Sequence, residues 1–584
     1  MRLYTDSFVA TTLNVTGGVK PDPMWIEGIT WPGIWAIFLA VGWLLPNHYQ
    51  PWIAFHTDAW VAWMFALAGG AVVIRYRNQI EWTCLTVTAA VVTLIPVVQY
   101  ASGLILFSGQ AWVSTAYLLG FLLSLLVGVR WEKNQPEQAI NALFFAICLA
   151  CVVSVGMQLY QWLSLSGADI WIVPLASNRP FANLVQPNQM ATFLLWGLIA
   201  IAWFVQHQKL GGATAVFLAM YFLFGLALTQ SRTAILAIAL VAIAGWYWRT
   251  LWYTKTRLCI AAGLVIFFIA CLFSIGPLSD AMLFDKRFDP IERMSGSDIR
   301  LAAYSLFADA ALRRPLWGYG WTALGPVQLS VAENHVQLGG IFQQSHNIFL
   351  DLILWAGIPV GVLIALTLLR WFYRQFKNVV RVEEALLVLF VGVVWWHAML
   401  ELPLHYAYML LPTGLVMGVL GARSAEPVLF RTGRLSLVVL LISATCLLAV
   451  ITRDYMRMEA DFEALRFERA YKMQPPAKPP QTLVLSQLET FIRLGRMSPR
   501  SGMNQQELNW MRDAADAFPS PSNQYVYTKA LAINGFPEQA QTRMKKLSKV
   551  MTSNDYEYLG KVWANESKTN HQLGEKVWLV VPGN

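Results

Sequence analysis

Residues 111–163 read AWVSTAYLLGFLLSLLVGVRWEKNQPEQAINALFFAICLACVVSVGMQLYQWL, and this stretch decides the fold class. Two long apolar runs, 111–129 and 139–163, flank a short link that carries Arg130 and Lys133. A helix that spans a bilayer needs roughly 20 mostly apolar residues, so each run predicts one membrane-spanning helix. Cytoplasmic loops of membrane proteins are enriched in Lys and Arg, so the basic link predicts a connection on the cytoplasmic side.

The same alternation of apolar runs and short links recurs along the chain. It predicts an all-α polytopic membrane protein with about thirteen transmembrane helices. The predicted helices lie near residues 31–46, 59–74, 83–99, 111–129, 139–163, 188–205, 213–229, 232–248, 258–275, 347–369, 383–400, 404–421 and 435–452. Of the 584 residues, 56% are hydrophobic and only 13% are charged, which is too apolar for a soluble protein of this length.

Basic residues predict the orientation of the chain, because they form six clusters on alternate connections. The clusters are Arg75 with Arg77, Arg130 with Lys133, Lys209, Arg249 with Lys255 and Arg257, Arg370 with Arg374, Lys377 and Arg381, and Arg423 with Arg431 and Arg434. With all six in the cytoplasm, residues 1–30 form a cytoplasmic N-terminal segment and 31–452 a transmembrane catalytic domain. The large loop 276–346 and a second domain, 453–584, are then periplasmic. The net charge of +9 lies mostly in these short loops, so no nucleic-acid partner is expected.

The second domain is predicted to be helical, because charged residues return there and the apolar residues recur with helical spacing. Residues 454–472 form an amphipathic helix that continues the last membrane helix. Further helices are predicted at 481–496, 505–517, 522–534 and 537–551. The turn Gly535–Pro537 between two helical runs is typical of one TPR unit, and a plain helical bundle is an equally good interpretation.

Polar residues that a simple connection does not need lie on the predicted outer face. The segment 178–189, NRPFANLVQPNQ, is dense in amides and carries Arg179, Gln186 and Asn188. Such a density of donors indicates binding of a polar headgroup or a sugar. The alternative is an ordinary turn that is capped by Asn188.

Arg232 follows Gln230 in a tight polar break, TQSR, between two apolar runs. A charge near membrane depth is costly, so such residues usually face a cavity and have a partner. The planar guanidinium suits a phosphate group. The alternative is that Arg232 extends to the membrane interface.

The large outer loop contains Arg300 at the start of a predicted helix and ends at His346, just before the tenth apolar run. A histidine with an ordinary pKa near 6.5 is suited to proton transfer at neutral pH. Glu401, His405 and Tyr406 follow the eleventh run. They are expected to orient a base or bind a sugar hydroxyl, or else to cap a helix and contribute aromatic rings to the interface.

These segments together resemble the bacterial O-antigen ligase and polymerase superfamily, and most closely its PglL-like protein O-oligosaccharyltransferases. The resemblance rests on Leu44–Trp52 (LLPNHYQPW), Arg179–Asn183 (RPFAN), Gln186–Gln189 (QPNQ), Thr229–Arg232 (TQSR), Pro315–Gly320 (PLWGYG), Ser345–Asn347 (SHN) and Glu401–Leu404 (ELPL). No single motif is specific for this superfamily. The order of the motifs along the chain and their placement on one face of the membrane are specific for it. The large outer tail and the Leu44–Trp52 motif favour the protein-modifying branch.

The resemblance implies a glycosyltransferase-C type of architecture in the bacterial inner membrane. It also implies metal-independent transfer of a glycan, en bloc, from an undecaprenyl-pyrophosphate-linked donor to a Ser or Thr hydroxyl of a periplasmic protein such as a pilin. On this sequence, Arg232 and Arg300 would hold the pyrophosphate, and His346 would assist deprotonation of the acceptor. Donor sugar or headgroup would be bound by Arg179, Gln186 and Asn188, with Gln230, Glu401, His405 and Tyr406 as further substrate-binding residues. No cofactor is implied.

Two rival functions remain open at this point. An O-antigen polymerase or lipid A–core O-antigen ligase differs only in its acceptor, which the sequence does not reveal. A transporter is disfavoured, because transporters often carry internal repeats and place polar residues at the membrane midplane. No metal ligand set is evident, although Asp280, Asp285 and Asp289 leave a weak site in the large loop open.

Overall fold

The computed structural model describes residues 30–175, 178–252, 254–282, 299–424, 426–470, 480–570 and 573. The helices before the large loop are α1 (Trp31–Gly42), α2 (Phe55–Arg75), α3 (Cys84–Ala101), α4 (Ser108–Asn134), α5 (Gln138–Trp162), α6 (Pro187–Gln206), α7 (Gly212–Leu228), α8 (Arg232–Tyr247), α9 (Arg249–Trp252) and α10 (Lys255–Ala281). The next helices are α11 (Ile299–Arg313), α12 (Leu324–Val331), α13 (Ile348–Ala356), α14 (Ile358–Lys377), α15 (Val382–Ala398) and α16 (Ala407–Arg423). The tail contains α17 (Arg434–Arg469), α18 (Ser486–Arg496), α19 (Gln505–Ala517), α20 (Pro521–Ile533), α21 (Pro537–Val550) and α22 (Ser553–Thr569).

The chain is a helical membrane protein. Seven of the described helices are long and apolar enough to cross a bilayer, namely α2, α3, α4, α5, α6, α10 and α17. Four more, α1, α7, α8 and α16, are apolar but shorter. Every predicted apolar run contains a helix, while the count of thirteen spans and the sidedness of the loops stay predictions.

One short antiparallel ribbon interrupts the predicted all-α architecture. It pairs β1 (Ile80–Thr83) with β2 (Val428–Thr432), with Ile80 opposite Thr432. The Trp82 ring stacks on Phe430 across the two strands. The ribbon links two of the connections that carry basic clusters. Its strands have only four and five residues, which is too short to distinguish them from loops in the sequence.

The prediction of a single helix over 347–369 is wrong, because the chain breaks at Gly357 into α13 and α14. Gly357 has a φ of 83°, and a Cβ built there would overlap the carbonyl oxygen of Leu316. Around the break, the Ile358 amide donates to the Pro315 carbonyl oxygen (2.7 Å), and the Tyr319 amide donates to that of Leu354 (2.8 Å). The Pro315–Gly320 motif therefore docks on the break, and only glycine tolerates both the backbone angle and the close approach.

The pair α4–α16 lies at the centre of the helical bundle. Gly128 of α4 lies against the backbone of Leu415, and Gly418 of α16 lies against the backbone of Leu125. Small residues at such contacts let two membrane helices approach closely. The pairing fixes where α16 begins, and with it the polar turn that precedes α16.

The tail is helical as predicted, and α17 runs without a break from the last apolar run into the amphipathic segment. The helices α18 to α21 correspond to the four predicted ones, whereas α22 has no counterpart in the prediction. Leu329 and Ala332 of the outer loop pack with Met511 and Ala514 of α19, so the tail docks on that loop. Four prolines, Pro475, Pro476, Pro479 and Pro480, predict that the helix 454–472 ends before them; the first three lie outside the described residues. The TPR interpretation stays a prediction.

Candidate active site

Glu401 is the centre of a polar cluster between the end of α15 and the start of α16. Its side chain is only 8% exposed. The side-chain amides of Gln186 and Asn188 both donate to the carboxylate. Arg300, near the start of α11, places Nη2 3.5 Å from Oε1 of Glu401. Three segments that are far apart in sequence therefore meet at one buried carboxylate.

Arg179 ties this cluster to the turn between α7 and α8. Its Nε donates to the carbonyl oxygen of Thr229 (2.7 Å), and its Nη2 donates to Oδ1 of Asn188 (2.8 Å). The amide-rich loop 178–189 thus contacts both Glu401 and the residue that directly precedes Gln230. The predicted grouping of the polar outer segments is realised at this point.

A buried histidine lies beneath Glu401. Nε2 of His397, one helical turn earlier in α15, is 3.4 Å from Oε2 of Glu401, and its Nδ1 is 2.9 Å from the Thr192 hydroxyl. Burial raises the pKa of Glu401, but the contacts with His397, Asn188 and Gln186 lower it by more, so the pKa lies below its usual value. The carboxylate is therefore ionised at neutral pH and balances the charge of Arg300.

His346 lies beside the same turn. Its Nδ1 is 3.1 Å from the carbonyl oxygen of Leu400, and the Tyr304 hydroxyl donates to the His346 carbonyl oxygen (3.1 Å). The residue has a φ of 63°, a left-handed conformation that is uncommon outside glycine. The next residue, Asn347, caps α13 through its side chain. The imidazole is therefore held at the carbonyl oxygen of Leu400, directly before Glu401, while Tyr304 holds the His346 backbone.

Arg232 is the first residue of α8, where Ser231 caps the helix by accepting from the Ala234 amide (3.2 Å). Gln230 forms the turn, with a φ of 46°. The Arg232 side chain is exposed and makes no hydrogen bond or ion pair with the described part of the chain. Arg232 is three residues from Thr229, whose carbonyl oxygen accepts from Arg179. The Arg232 side chain itself forms no hydrogen bond or ion pair with the described residues of the cluster.

Within the described part of the chain, neither His405 nor Tyr406 forms a hydrogen bond with the Glu401 carboxylate. The His405 ring lies against Trp355, with ring centroids 5.3 Å apart, and burial lowers its pKa to about 4. Tyr406 packs against Tyr408 and precedes α16. Tyr406 nevertheless lies within electrostatic range of Glu401, and the assignment of both residues to substrate binding stays a prediction.

The Leu44–Trp52 motif supports the amide-rich loop. Nδ2 of Asn183 donates to the Leu44 carbonyl oxygen (2.7 Å), and Nε2 of His48 is 2.6 Å from the Asn183 carbonyl oxygen. The Tyr455 hydroxyl of α17 donates to the Trp52 carbonyl oxygen (3.1 Å). The motif thus links the site to the helix that carries the tail.

A cavity of about 1020 Å³ adjoins the cluster. Its wall includes Phe349, close to His346, and Met399, close to Glu401, and it extends to Trp248 at the far end of α8. The wall is mainly aliphatic and aromatic, and Gln487 and Phe518 of the tail contribute to it. The space is suited to a long apolar ligand. The residues of the Glu401 cluster are not among those that line it.

His397 and Thr192 are the residues that the sequence did not single out. One histidine inside an apolar run gives no pattern, and only its spacing of four residues before Glu401 links the two. Within the described residues, no group of three or more His, Cys, Asp or Glu side chains is placed to hold a metal ion. Asp285 and Asp289 lie outside the described residues.

Comparisons with known proteins bear on this arrangement. Residues 180–204 match the family described as protein glycosylation ligase, and 214–365 match the O-antigen ligase family. Residues 385–560 match the C-terminal region of virulence factor membrane-bound polymerases. The general O-oligosaccharyltransferase of Acinetobacter baylyi is 28% identical over 548 residues, which cover 88% of this chain and 91% of that protein. The chain therefore resembles the O-antigen ligase superfamily, in its PglL-like branch.

A second relative, the ComP-specific O-oligosaccharyltransferase of the same organism, is 25% identical over 340 residues. That match covers 57% of this chain and 61% of the relative. The resemblance predicted from the motifs is confirmed. The protein glycosylation ligase match includes the amide-rich loop from Pro180 onward, without Arg179. The O-antigen ligase match includes the Arg232 turn and His346, and the polymerase match includes Glu401.

Proposed function

We propose that the chain transfers a glycan en bloc from an undecaprenyl-pyrophosphate-linked donor to a Ser or Thr hydroxyl of a periplasmic, pilin-like protein. The observation that carries this proposal is the meeting of Arg300, Glu401 and the amides of Gln186 and Asn188 next to His346. The resemblance to two O-oligosaccharyltransferases along most of the chain supports the reaction class.

His346 acts on the acceptor in this proposal. A carbonyl oxygen only accepts hydrogen bonds, so the contact with Leu400 O puts the ring proton on Nδ1 and leaves the lone pair on Nε2. Nε2 takes the proton from the acceptor hydroxyl as its oxygen bonds to the anomeric carbon of the donor. The bond between that carbon and the phosphate oxygen breaks, and undecaprenyl pyrophosphate leaves with the electron pair.

The arginines act on the leaving group. Charge develops on the pyrophosphate as the glycosidic bond breaks, and guanidinium groups stabilise it through paired hydrogen bonds. Arg300 is held at Glu401 and Arg232 is exposed at the start of α8, so the two approach the donor from different elements. Because pyrophosphate is already a good leaving group, the reaction needs neither a metal ion nor a cofactor.

The apolar cavity suits the polyprenyl chain of the donor. Its wall follows α15 from Val388 to Met399, which corresponds to about 17 Å of helix. Gln487 and Phe518 of the tail line another part of the same cavity, beside Phe107, and we assign that part to the acceptor and the part along α15 to the polyprenyl chain. We therefore assign acceptor recognition to the domain 453–584 and catalysis to 31–452.

This reaction requires the Glu401 cluster to face the periplasm from the inner membrane. The six basic clusters on alternate connections support that orientation. Reporter fusions after Arg130 and Arg381 are expected to be cytoplasmic, and fusions after Ala332 and Asn584 periplasmic. A cytoplasmic Asn584 would contradict both the orientation and the thirteen-span topology.

The reaction is tested with purified full-length protein, a lipid-linked oligosaccharide and a pilin-like acceptor. Intact-mass measurement of the acceptor is expected to show addition of one whole glycan, on Ser or Thr, without loss of rate in EDTA. Loss of transfer in EDTA would contradict metal independence. Absence of the adduct with several acceptors and donors would contradict the proposal.

An O-antigen polymerase or lipid A–core ligase is the second candidate, and the matches at 214–365 and 385–560 favour it. The two functions differ in the acceptor alone. Offering the protein acceptor and a lipid-linked or lipid A–core acceptor in one assay separates them, since the preferred acceptor gains the glycan first.

A further inference from the structure

The bundle buries an arginine that the transfer reaction does not use. Arg130 lies in the last turns of α4 and its residue is only 4% exposed. Its Nη2 donates to the carbonyl oxygen of Tyr76. Its Nε and Nη1 have no hydrogen-bond partner within the described part of the chain. A buried guanidinium with two unsatisfied N–H groups is costly unless something accepts from them.

A second arginine stands close by. Arg434 is the first residue of α17, it lies within electrostatic range of Arg130, and its buried Nε likewise has no partner among the described residues. Two guanidinium groups in one place repel each other, so the pair needs a negative charge. The backbone N–H groups of the first turn of α17 add to the positive potential.

The neighbouring carboxylates do not supply that charge. Glu132 forms an ion pair with Arg423 (2.8 Å). Glu81 is shared by Lys133 and Arg431, the latter at 3.4 Å. Arg434 is the one charged group that acts on Arg130 within the described chain. The Arg130–Arg434 pair is therefore a cationic site without its anion.

The Arg130–Arg434 pair lies at the end of the bundle opposite to the Glu401 cluster. From Ala407, next to the cluster, α16 runs 17 residues to Arg423, whose partner Glu132 lies near Arg130. That length corresponds to about 25 Å, which approaches the thickness of a bilayer. The proposed reaction at Glu401 therefore does not account for this site.

The surface around the pair is suited to acyl chains. Ile74, two residues before Tyr76, is 74% exposed, and Leu435, directly after Arg434, is 72% exposed. Val439 and Ile442 continue the exposed apolar face along α17. Apolar side chains in contact with a cationic site at a helix end match the two parts of a phospholipid, an anionic headgroup and its tails.

We propose that Arg130 and Arg434 bind the phosphate group of an anionic phospholipid, in the leaflet opposite to the active site. The guanidinium of Arg130 donates to the phosphate from inside the bundle, and Arg434 and the start of α17 close the site from the lipid side. The bound lipid joins α2, α4 and α17 at the base of the helix that carries the tail.

The test uses the full-length protein, purified in a mild detergent and depleted of lipid. Thermal unfolding is followed with added phosphatidylglycerol, phosphatidylcholine or inorganic phosphate, and native mass spectrometry counts the retained lipid. Phosphatidylglycerol is expected to stabilise the wild type saturably, whereas the other two additions do not. Arg130→Gln and Arg434→Gln are each expected to need about ten-fold more phosphatidylglycerol for the same shift.

Arg75→Gln is the matched control, because Arg75 is exposed at the end of α2 on the same side and is expected to respond like the wild type. Arg434 is only partly buried, so Arg434→Gln carries the test if Arg130→Gln does not fold. An unchanged response of Arg434→Gln would overturn the proposal. An equal shift with phosphatidylcholine would contradict recognition of the anion, and an equal shift with inorganic phosphate would contradict a lipid source.

Discussion

Nδ1 of His346 lies 3.1 Å from the carbonyl oxygen of Leu400, the residue directly before Glu401. The turn that sets the imidazole tautomer therefore also contains Glu401. The Glu401 carboxylate in turn contacts Arg300, Gln186 and Asn188. Gln344 lies 3.5 Å from the same ring nitrogen, a longer contact that competes poorly with Leu400. In the proposed mechanism, this one short piece of backbone would couple acceptor activation by His346 to donor binding by Arg300.

His346→Ala is expected to reduce transfer by about 10²–10⁴-fold, the usual contribution of general-base assistance. The measurement is the initial rate with purified donor lipid and acceptor. His335→Ala is the matched control, because His335 lies in the same loop but its Nε2 is bound to Asp309 (3.0 Å). A fully active His346→Ala enzyme would remove the residue from the mechanism.

The wild-type rate is expected to fall as the pH drops through the range in which histidines protonate, near 6.5, because an imidazolium cannot accept a proton. Glu401 does not explain this fall, since its pKa lies below the usual carboxylate value and it stays ionised there. The residual activity of His346→Ala is expected to lack this limb of the pH profile. If the residual rate of His346→Ala fell over the same pH range, a titrating group other than His346 would be responsible.

Arg300→Ala is expected to raise the KM for the lipid-linked donor by about 10–100-fold, because charge-assisted hydrogen bonds to the pyrophosphate are lost. Arg300→Lys keeps the charge but lacks the planar guanidinium, so its donor KM is expected to lie between those of the wild type and Arg300→Ala. Arg313→Ala, on the same helix and paired with Asp309 at the surface, serves as control. The same series at Arg232 tests the second arginine, and wild-type donor KM in both alanine variants would exclude them.

Glu401→Gln removes the negative charge and keeps an acceptor oxygen for only one of the two amides, Gln186 or Asn188, that donate to the carboxylate. We expect loss of transfer and about 1–3 kcal/mol of lost stability, because Arg300 loses its counter-charge. The pKa of the wild-type carboxylate lies below its usual value, so its contribution is fully present above the usual carboxylate pKa and is lost as the pH falls through the lowered pKa. Unfolding in detergent at pH 7 measures the difference, with exposed Glu333→Gln as control.

The sequence predicted the helices well because the length of an apolar run is a local property. It missed the break at Gly357, since that glycine lies inside an apolar run and the break is set by the distant Pro315–Gly320 segment. The ribbon β1–β2 was missed for a similar reason, because its two strands pair across most of the chain.

The residues of the site could be predicted only as far as lying on the same side of the membrane brings residues close together. Gln186, Asn188 and Arg300 contact Glu401, and Arg179 contacts Asn188, so the residues that were predicted to lie on one face are close together. The direction of each side chain was not predictable, and a turn of three residues is enough to send His405 into the cavity wall.

Gly357→Ala tests the break between α13 and α14. A Cβ there meets the Leu316 carbonyl oxygen, and the φ of 83° is unfavourable for alanine, so the Pro315–Gly320 segment has to move. We expect a lower unfolding temperature and reduced transfer, since His346 lies just before α13. Gly263→Ala is the control, because nothing lies near its Cβ position in α10. Equal stability of both variants would show that the break does not depend on this contact.

The tail is expected to govern acceptor binding, because Ala517 and Phe518 form part of the cavity wall. Deleting 481–584 is expected to abolish or redirect protein glycosylation, but it also uncovers Leu329 and Ala332 of the outer loop, so a point variant is sharper. Phe518→Ala removes one aromatic ring and is expected to raise the acceptor KM about tenfold, with the donor KM unchanged. Tyr558→Ala, exposed on α22, is the control. A Phe518→Ala enzyme with a raised donor KM and an unchanged acceptor KM would place the tail on the donor side instead, and the acceptor would then have to enter past the large loop.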